Sequence, residues 1–195
     1  MTLIDSPVSN AANIARALRA AGADLHVTAR PDEIAAAPKL VLPGVGSFRA
    51  AMEWLTLNRV DEAIRSAVAR GIPLLGICVG HQALFDSSEE MGETRGLGLL
   101  RGVVRRLTSA LPVPQIGWNR VRTQDEELFA GVPDRTPFYF VHSYAVADSA
   151  DSIATADYGA PFTAAIRRDN IFGVQFHPEK SSAAGLRVLA NFVSL

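Results

Sequence analysis

The first half of the chain alternates short apolar runs with amphipathic segments. Glycine, proline or polar residues bound the runs, as is typical of buried strands; they are Leu3-Ile4, Leu25-His26-Val27, Leu40-Val41-Leu42 and Leu74-Leu75-Gly76-Ile77. Between them, residues 13–21 and 60–68 carry apolar side chains at helical spacing, and each segment ends at a glycine, Gly22 or Gly71. Strands that alternate with helices predict a mostly parallel sheet covered on both faces.

The second half has strand candidates at closer spacing, separated by turns rich in Gly, Pro, Asp and Asn. These candidates are residues 103–107, 117–122, 138–141, 163–167 and 171–176. A last helix over residues 184–193 offers Leu186, Leu189, Ala190 and Val193 to the core. The pattern predicts one α/β domain over residues 1–195, with three layers, a mixed and mostly parallel sheet, and an antiparallel portion in its C-terminal half.

Composition narrows the class of protein. No apolar run approaches the roughly 18 residues that cross a bilayer, and the N-terminus lacks the basic start and apolar stretch of a signal peptide. A formal net charge of -1 gives no electrostatic case for binding nucleic acid or an anionic membrane. The single cysteine cannot form an internal disulfide. We expect a soluble, cytoplasmic protein.

The single cysteine stands where a strand turns into a helix. The predicted strand that ends at Ile77 leads directly to Cys78, and a helix begins near His81. Gly76 and Gly80 lie two residues to either side, and they allow a sharp turn that a Cβ would obstruct. Such a turn lifts a nucleophile above the carboxyl edge of the sheet, where open α/β proteins bind ligands. A lone buried cysteine that only fills space is the alternative.

A thiol nucleophile needs a base and a group that orients the base. His177-Pro178-Glu179 follows the apolar run of residues 173–176, and its proline restricts the turn, so that Glu179 could hold one tautomer of His177. An ordinary surface turn explains this spacing equally well. Among the other histidines, His142 could line the site, whereas His81 is expected to point away from the thiol and His26 to be structural.

A third segment follows another strand of the same predicted sheet. Pro43-Gly44-Val45-Gly46 comes directly after Leu42, and its glycines let backbone N–H groups face a ligand, as an oxyanion hole requires. Many βα loops contain such a turn, so its place beside the cysteine turn is what makes it relevant.

These segments together resemble the class I (triad) glutamine amidotransferases, and among them the glutaminase subunits of imidazole glycerol phosphate synthases. The resemblance rests on Pro43-Gly44-Val45-Gly46-Ser47-Phe48, Gly76-Ile77-Cys78-Val79-Gly80-His81-Gln82, Ile116-Gly117-Trp118-Asn119, Tyr139-Phe140-Val141-His142-Ser143-Tyr144 and Gly173-Val174-Gln175-Phe176-His177-Pro178-Glu179-Lys180-Ser181. It spans nearly the whole chain and implies a flavodoxin-like topology.

The resemblance implies that L-glutamine is hydrolysed to glutamate and ammonia by a Cys78–His177–Glu179 triad, without a metal or an organic cofactor. It implies an oxyanion hole formed by the backbone of Gly44, Val45, Gly46 and Val79, and substrate contacts from Gln82, Glu90, Ser143 and Tyr144. It also implies a heterodimer with a (β/α)8-barrel cyclase, which uses the ammonia to make imidazole glycerol phosphate and an aminoimidazole carboxamide ribonucleotide in histidine biosynthesis. Trp118, Asn119 and Lys180 would then lie in the interface, although Trp118 could instead belong to the core.

The chain departs from the family pattern in two places. The family's Asp-Tyr-Gly-x-Gly-Asn run is replaced here by Asp5-Ser6-Pro7-Val8-Ser9-Asn10, which loses both glycines. His81 stands where this subfamily more often has methionine. A glutaminase that serves another acceptor remains an alternative, although Trp118-Asn119 and Lys180-Ser181 disfavour it. A non-catalytic binding protein of the same fold is a second alternative, and it would not need an intact triad.

Overall fold

The computed structural model describes residues 1–7 and 10–195 of the chain. Within this part, the strands are β1 Thr2–Ile4, β2 His26–Thr28, β3 Leu40–Leu42, β4 Leu74–Ile77, β5 Ser87–Ser88, β6 Thr94–Arg95, β7 Val103–Arg106, β8 Gln115–Thr123, β9 Pro137–His142, β10 Tyr144–Ala145, β11 Ser152–Asp157, β12 Pro161–Arg168 and β13 Ile171–Val174. The helices are α1 Ala11–Ala20, α2 Pro31–Ala35, α3 Phe48–Leu57, α4 Val60–Ala69, α5 Val79–Ala83 and α6 Ser182–Ser194, with short 3-10 helices at Glu127–Phe129 and Pro178–Lys180.

The main sheet is mixed and is divided between two kinds of pairing. Its order over the described residues is β2-β1-β3-β4-β13-β12-β11-β8-β9. The pairs from β2 to β13 are parallel, and those from β13 to β9 are antiparallel. The parallel half has the 2-1-3-4-5 order of flavodoxin-like folds, with β13 as its fifth strand. The predicted mixed α/β sheet with an antiparallel portion in the C-terminal half is therefore confirmed.

Two hydrophobic cores lie on opposite faces of this sheet, because successive side chains of a strand point to opposite faces. Leu3, Val41 and Leu75 belong to one core, which also contains residues of α1 and α6. The adjacent residues Ile4 and Leu42 belong to the other core, which is covered by residues of α2, α3 and α4. This arrangement gives the predicted three layers.

A second, smaller sheet lies beside the main one and was not predicted. Its order is β10-β7-β5-β6, and three of its strands are only two residues long. Segments of this length carry no period that a pattern could reveal. Strand β11, Ser152–Asp157, was also not predicted. Its buried and exposed positions do not alternate regularly, and its register against β12 shifts twice.

Two details of the sequence interpretation need correction. Helix α3 was not predicted, although Ser47 caps it and its buried positions Phe48, Ala51, Met52 and Leu55 have helical spacing. In α6, Leu186 was expected in the core but is 39% exposed, because the buried face runs through Val188, Leu189 and Phe192. No helix in the described part of the chain is long and apolar enough to cross a membrane.

Candidate active site

Cys78 occupies a strained turn between β4 and α5. Its φ of 53° and ψ of -110° lie outside the regions that L-residues favour. The flanking glycines make this turn possible by close approach of the backbone. A Cβ on Gly76 would lie 2.7 Å from the carbonyl oxygen of Gly80, and a Cβ on Gly80 would overlap the carbonyl oxygen of Leu42. We call residues 76–80 the elbow.

The imidazole of His177 and the carboxylate of Glu179 are in direct contact. Nδ1 of His177 lies 2.8 Å from Oε1 of Glu179, and both side chains are only 1% exposed. The turn between them is a 3-10 helix that begins at Pro178. Because Nδ1 is engaged by Glu179, Nε2 is the ring nitrogen left for Cys78; it has no partner at hydrogen-bond distance among the described residues.

The charge of His177 is set by these neighbours. Burial of the ring lowers its pKa, but interactions with the Cys78 thiol and the Glu179 carboxylate raise the pKa by more, to about 10. The imidazole is therefore held in its protonated form at neutral pH. A protonated imidazole beside a cysteine favours the thiolate, which is the nucleophilic form.

The loop of residues 44–46, which we call the oxyanion loop, lies against the elbow. The backbone N–H of Val79 donates to the carbonyl oxygen of Gly44 at 3.3 Å. A Cβ on Gly44 would lie 2.7 Å from the nitrogen of Gly80, so only glycine allows this approach. Gly46 has a φ of +82° and open space around it. The loop is thus adjacent to Cys78, but a carbonyl oxygen occupies the Val79 donor.

A cavity of about 410 Å³ opens above Cys78. Most of the predicted site residues line it together: Val45, Gly46, Cys78, Val79, Gln82, Glu90, Ser143, Tyr144, His177 and Lys180. Glu179 is not among the lining residues and contacts the site through His177. Among the described residues, no group of three or more His, Cys, Asp or Glu is arranged to hold a metal ion.

Comparison with known proteins decides the family. The family model of the class I glutamine amidotransferases matches residues 2–195. The chain belongs to this family.

The similarity extends to full-length relatives of one kind. The chain is 48% identical to imidazole glycerol phosphate synthase subunit HisH of Moorella thermoacetica, over 100% of this chain and 94% of the relative. It is 49% identical to the protein of the same name from Methylococcus capsulatus, over 99% of this chain and 95% of the relative. A crystal structure of a glutamine amidotransferase has a TM-score of 0.76 at 17% identity, over 100% of this chain and 99% of that chain. The PurLQS structure from Thermotoga maritima also has a TM-score of 0.76, at 18% identity, over 99% and 96%.

The small sheet supplies two of the residues that this amidotransferase was expected to use for substrate. Glu90 follows β5, and its Oε2 accepts a hydrogen bond of 2.7 Å from the backbone N–H of Phe48, at the start of α3. Tyr144 begins β10, and its carbonyl oxygen accepts from Nε2 of Gln82 at 2.8 Å. The short strands therefore hold the far wall of the cavity against the elbow and the oxyanion loop.

Two other histidines, His142 and His81, differ in their position relative to the cavity. His142 lines the cavity; burial lowers its pKa to about 4, although the hydrogen bond to the Tyr144 carbonyl opposes that shift. His81 does not line the cavity and is fully buried, with its ring edge-on to Phe85 at 5.3 Å. Both of its ring nitrogens lack a partner among the described residues, and burial lowers its pKa to about 3.

Two of the three predicted interface residues of the amidotransferase, Trp118 and Lys180, lie against Tyr139, near the cavity. Trp118 is 53% exposed, so it is not a core residue, and its ring meets Tyr139 edge-on at 6.1 Å. Nζ of Lys180 lies 5.6 Å from the centre of the Tyr139 ring. Asn119 is on the opposite side of the strand, where its Nδ2 donates to the carbonyl oxygen of Asp157. We call Ile116, Trp118, Tyr139 and Lys180 the docking face.

Two observations concern residues that the sequence interpretation did not resolve. The unusual sequence after β1 includes Val8 and Ser9, which lie outside the described residues; Ser6 is buried. Gln175 was counted as part of an apolar strand, yet its amide reaches the sulfur of Cys78 at 3.8 Å. A glutamine in an otherwise apolar run, two positions before a candidate base, is the signal that could have identified it.

Proposed function

We propose that this chain is the glutaminase subunit of an imidazole glycerol phosphate synthase. It hydrolyses L-glutamine to glutamate and passes the ammonia to a cyclase subunit with a (β/α)8-barrel fold, in the cytoplasm. The observation that carries the proposal is the elbow cysteine facing a buried His177 that Glu179 holds at 2.8 Å. Full-length relatives named as subunit HisH of this synthase, at 48 and 49% identity, support the pathway. The family match over residues 2–195 supports one amidotransferase domain over the whole chain.

The proposed reaction begins with proton transfer between two neighbours. His177 holds the thiol proton, and the Cys78 thiolate attacks the side-chain amide carbon of glutamine. The tetrahedral intermediate expels ammonia, to which Nε2–H of His177 gives its proton, and a γ-glutamyl thioester remains. Neutral His177 then takes a proton from water, which attacks the thioester, and glutamate leaves as sulfur returns to the thiolate. Glu179 holds the ring throughout by its contact with Nδ1.

The oxyanion formed in both steps needs backbone donors. We propose the N–H of Val79 as one donor and an N–H of the oxyanion loop as the other. In this structure the carbonyl oxygen of Gly44 accepts from Val79, so the donor is blocked. Rotation of the peptide between Gly44 and Val45 would remove that carbonyl and present the Val45 N–H instead. We infer that the chain rests in a state of low activity.

The docking face supports the proposal of a partner subunit. Ile116 and Trp118 are 64% and 53% exposed and lie on one side of β8. They pair across the sheet with Val141 and Tyr139, and Val141 lines the cavity. An apolar surface continuous with the cavity mouth suits a subunit that covers the site and receives ammonia without loss to water. We propose that Trp118 and Lys180 contact the cyclase. Asn119 lies on the other side of β8 and would support that strand through its hydrogen bond to the carbonyl oxygen of Asp157.

The test is glutamate release from glutamine by the purified chain, alone and with a (β/α)8 cyclase subunit and its nucleotide ligand. We expect low activity alone, strong activation in the complex, and a loss of at least about 10⁴-fold in Cys78→Ala, since removing a nucleophile abolishes covalent catalysis. Retained complex formation by Cys78→Ala is the control for folding. Full activity without a partner would keep the glutaminase and contradict the blocked resting state. Silence of a folded complex would favour another acceptor pathway or a non-catalytic role.

A further inference from the structure

Gln175 lies directly under the nucleophile. It follows the last residue of β13, its side chain is completely buried, and its Nε2 is 3.8 Å from Sγ of Cys78. A fully buried amide must satisfy both its oxygen and its nitrogen within the protein. The question is therefore which end of the amide faces the sulfur, because a donor there would stabilise negative charge and an acceptor would destabilise it.

The neighbouring groups decide this orientation. The carbonyl oxygen of Tyr144 can only accept, so the amide end of Gln82 that lies 2.8 Å from it must be the NH2 group. The same NH2 group is 3.0 Å from the Gln175 amide and uses its second hydrogen there. Gln175 must therefore present its oxygen to Gln82. Its NH2 group is left facing the sulfur of Cys78.

The Tyr144 carbonyl oxygen also has a second partner, His142. Nδ1 of His142 donates to that oxygen at 3.0 Å, so both lone pairs of the oxygen are used. The other ring nitrogen of His142, Nε2, lies 3.0 Å from the side-chain amide of Gln115. Both nitrogens of His142 are therefore engaged by other groups and neither is left for the sulfur. The amide of Gln175 cannot turn over without leaving Gln82 unpaired.

We propose that Gln175 is a catalytic residue of this site, which donates a hydrogen bond from its amide NH2 group to the Cys78 sulfur and stabilises the thiolate. The inference rests on the proposed function and adds a residue to it. Negative charge lies on the sulfur before attack and again when the thioester is hydrolysed, so the same donor acts at both stages. Gln82 and the Tyr144 carbonyl fix the direction of this donor.

The experiment measures how the reactivity of Cys78 depends on pH, with iodoacetamide as the probe and intact-mass detection on the full-length chain. Iodoacetamide needs no glutamine site, so the result is independent of whether the chain proves to be a glutaminase. In Gln175→Met, which keeps the length of the side chain and removes the donor, we expect the alkylation midpoint to move up by about one pH unit. Below the midpoint, alkylation should be about tenfold slower than in the parent.

Other titratable groups surround Cys78 and stay in place in this variant. They are His81 on α5, His142 and Tyr144 on the far wall, Glu90 beside α3, and His177 with Glu179 and Lys180. A change that only altered the packing would change alkylation by the same factor at every pH without moving the midpoint. Thr163→Val is the matched control, since Thr163 is buried on the neighbouring strand β12 and its hydroxyl has no hydrogen-bond partner among the described residues. It should leave the midpoint unchanged.

A second variant keeps the proposal testable if Gln175→Met does not fold. Gln82→Met leaves Gln175 in place but frees its amide to turn, so the midpoint should move in the same direction by a smaller amount. An unmoved midpoint in folded Gln175→Met would overturn the proposal. If only Gln82→Met folds, an unmoved midpoint in that variant would overturn it instead.

Discussion

On one side of Cys78, His177 is already held by Glu179 at 2.8 Å and both side chains are buried. On the other side, the Val79 amide that should receive an oxyanion donates to the Gly44 carbonyl at 3.3 Å. The first side is built from side chains within one tight turn after β13. The second is built from the backbones of two separate segments, the oxyanion loop and the start of α5 at Val79.

The difference suggests where activation can act. The contact between His177 and Glu179 is enclosed, and loosening it would leave a buried charge without its partner, which costs several kcal/mol. The oxyanion loop contains two glycines, and Gly46 already has a positive φ with open space around it. Rotating one peptide there is the smaller change. A partner that binds near the cavity mouth can therefore switch the reaction while the nucleophile and its base remain in place.

The largest effect is expected from breaking the side that is already assembled. Glu179→Gln keeps the shape of the side chain but removes the negative charge that orients and stabilises protonated His177. We expect glutamate release to fall by about 10²–10⁴, both for the chain alone and in the complex. Steady-state assay of glutamate gives the value. Glu126→Gln removes a carboxylate that pairs with Arg167 and does not line the cavity, so it serves as a control and should retain activity. A loss below threefold in Glu179→Gln would refute the role of the carboxylate.

Two reactions of Cys78 distinguish the oxyanion hole from the nucleophile and its base, because only one of the reactions forms an oxyanion. If activation only completes the oxyanion hole, binding the cyclase and its ligand should raise glutamine hydrolysis by about 10²–10³, the usual effect of one oxyanion donor. Alkylation of Cys78 by iodoacetamide forms no oxyanion and should change by less than about threefold, given that the small reagent still reaches the site. Parallel assays on one preparation measure both rates. A large rise in both would show that the partner acts on the thiol and its base instead.

A smaller effect is expected at the docking face. Trp118→Ala removes an exposed aromatic side chain beside the cavity mouth, and we expect binding to the cyclase to weaken by about 30-fold, as for a central interface residue. Leu57→Ala is the matched control, because Leu57 is 83% exposed at the end of α3. Titration calorimetry or fluorescence gives the affinities. Equal loss in both variants, or none in Trp118→Ala, would place the interface elsewhere.

Prediction from the sequence succeeded where one local pattern determines the structure. The strands Leu40–Leu42 and Leu74–Ile77 occur with the predicted bounds, because short apolar runs between turns have few other ways to be buried. The elbow was predictable for a related reason. Only glycine permits the approach of Gly80 to Leu42, and glycine in that pattern can be read directly.

Features that depend on distant contacts could not be predicted. The small sheet joins segments of two residues, and Leu186 is exposed because the packing of α6, rather than its own period, decides its buried face. The blocked Val79 donor is a matter of one peptide orientation, which no residue type specifies. The amide of Gln175 gains its meaning only from Gln82.

The last prediction compares two buried histidines that the chain treats in opposite ways. His177 has a carboxylate partner and is held protonated, whereas His81 has no partner among the described residues and is held neutral. Burial lowers the pKa of His81 from 6.5 to about 3. Between these values the unfolded chain binds a proton that the folded chain refuses, so the free energy of unfolding falls as the pH falls below 6.5.

We therefore expect His81→Met to reduce the acid sensitivity of the fold. Methionine fills a similar space against Phe85 and has no proton to bind, so the loss of stability between pH 7 and pH 5 should shrink by about 2 kcal/mol. Urea denaturation at the two pH values measures it, with Thr163→Val as a buried control that carries no titratable group. His142 keeps its own share of the acid sensitivity in both variants, since burial also lowers its pKa. If His81→Met lost as much stability on acidification as the parent, His81 would have to gain a proton in the folded chain. A second buried histidine would then be charged in the folded chain, and its difference from His177 would disappear.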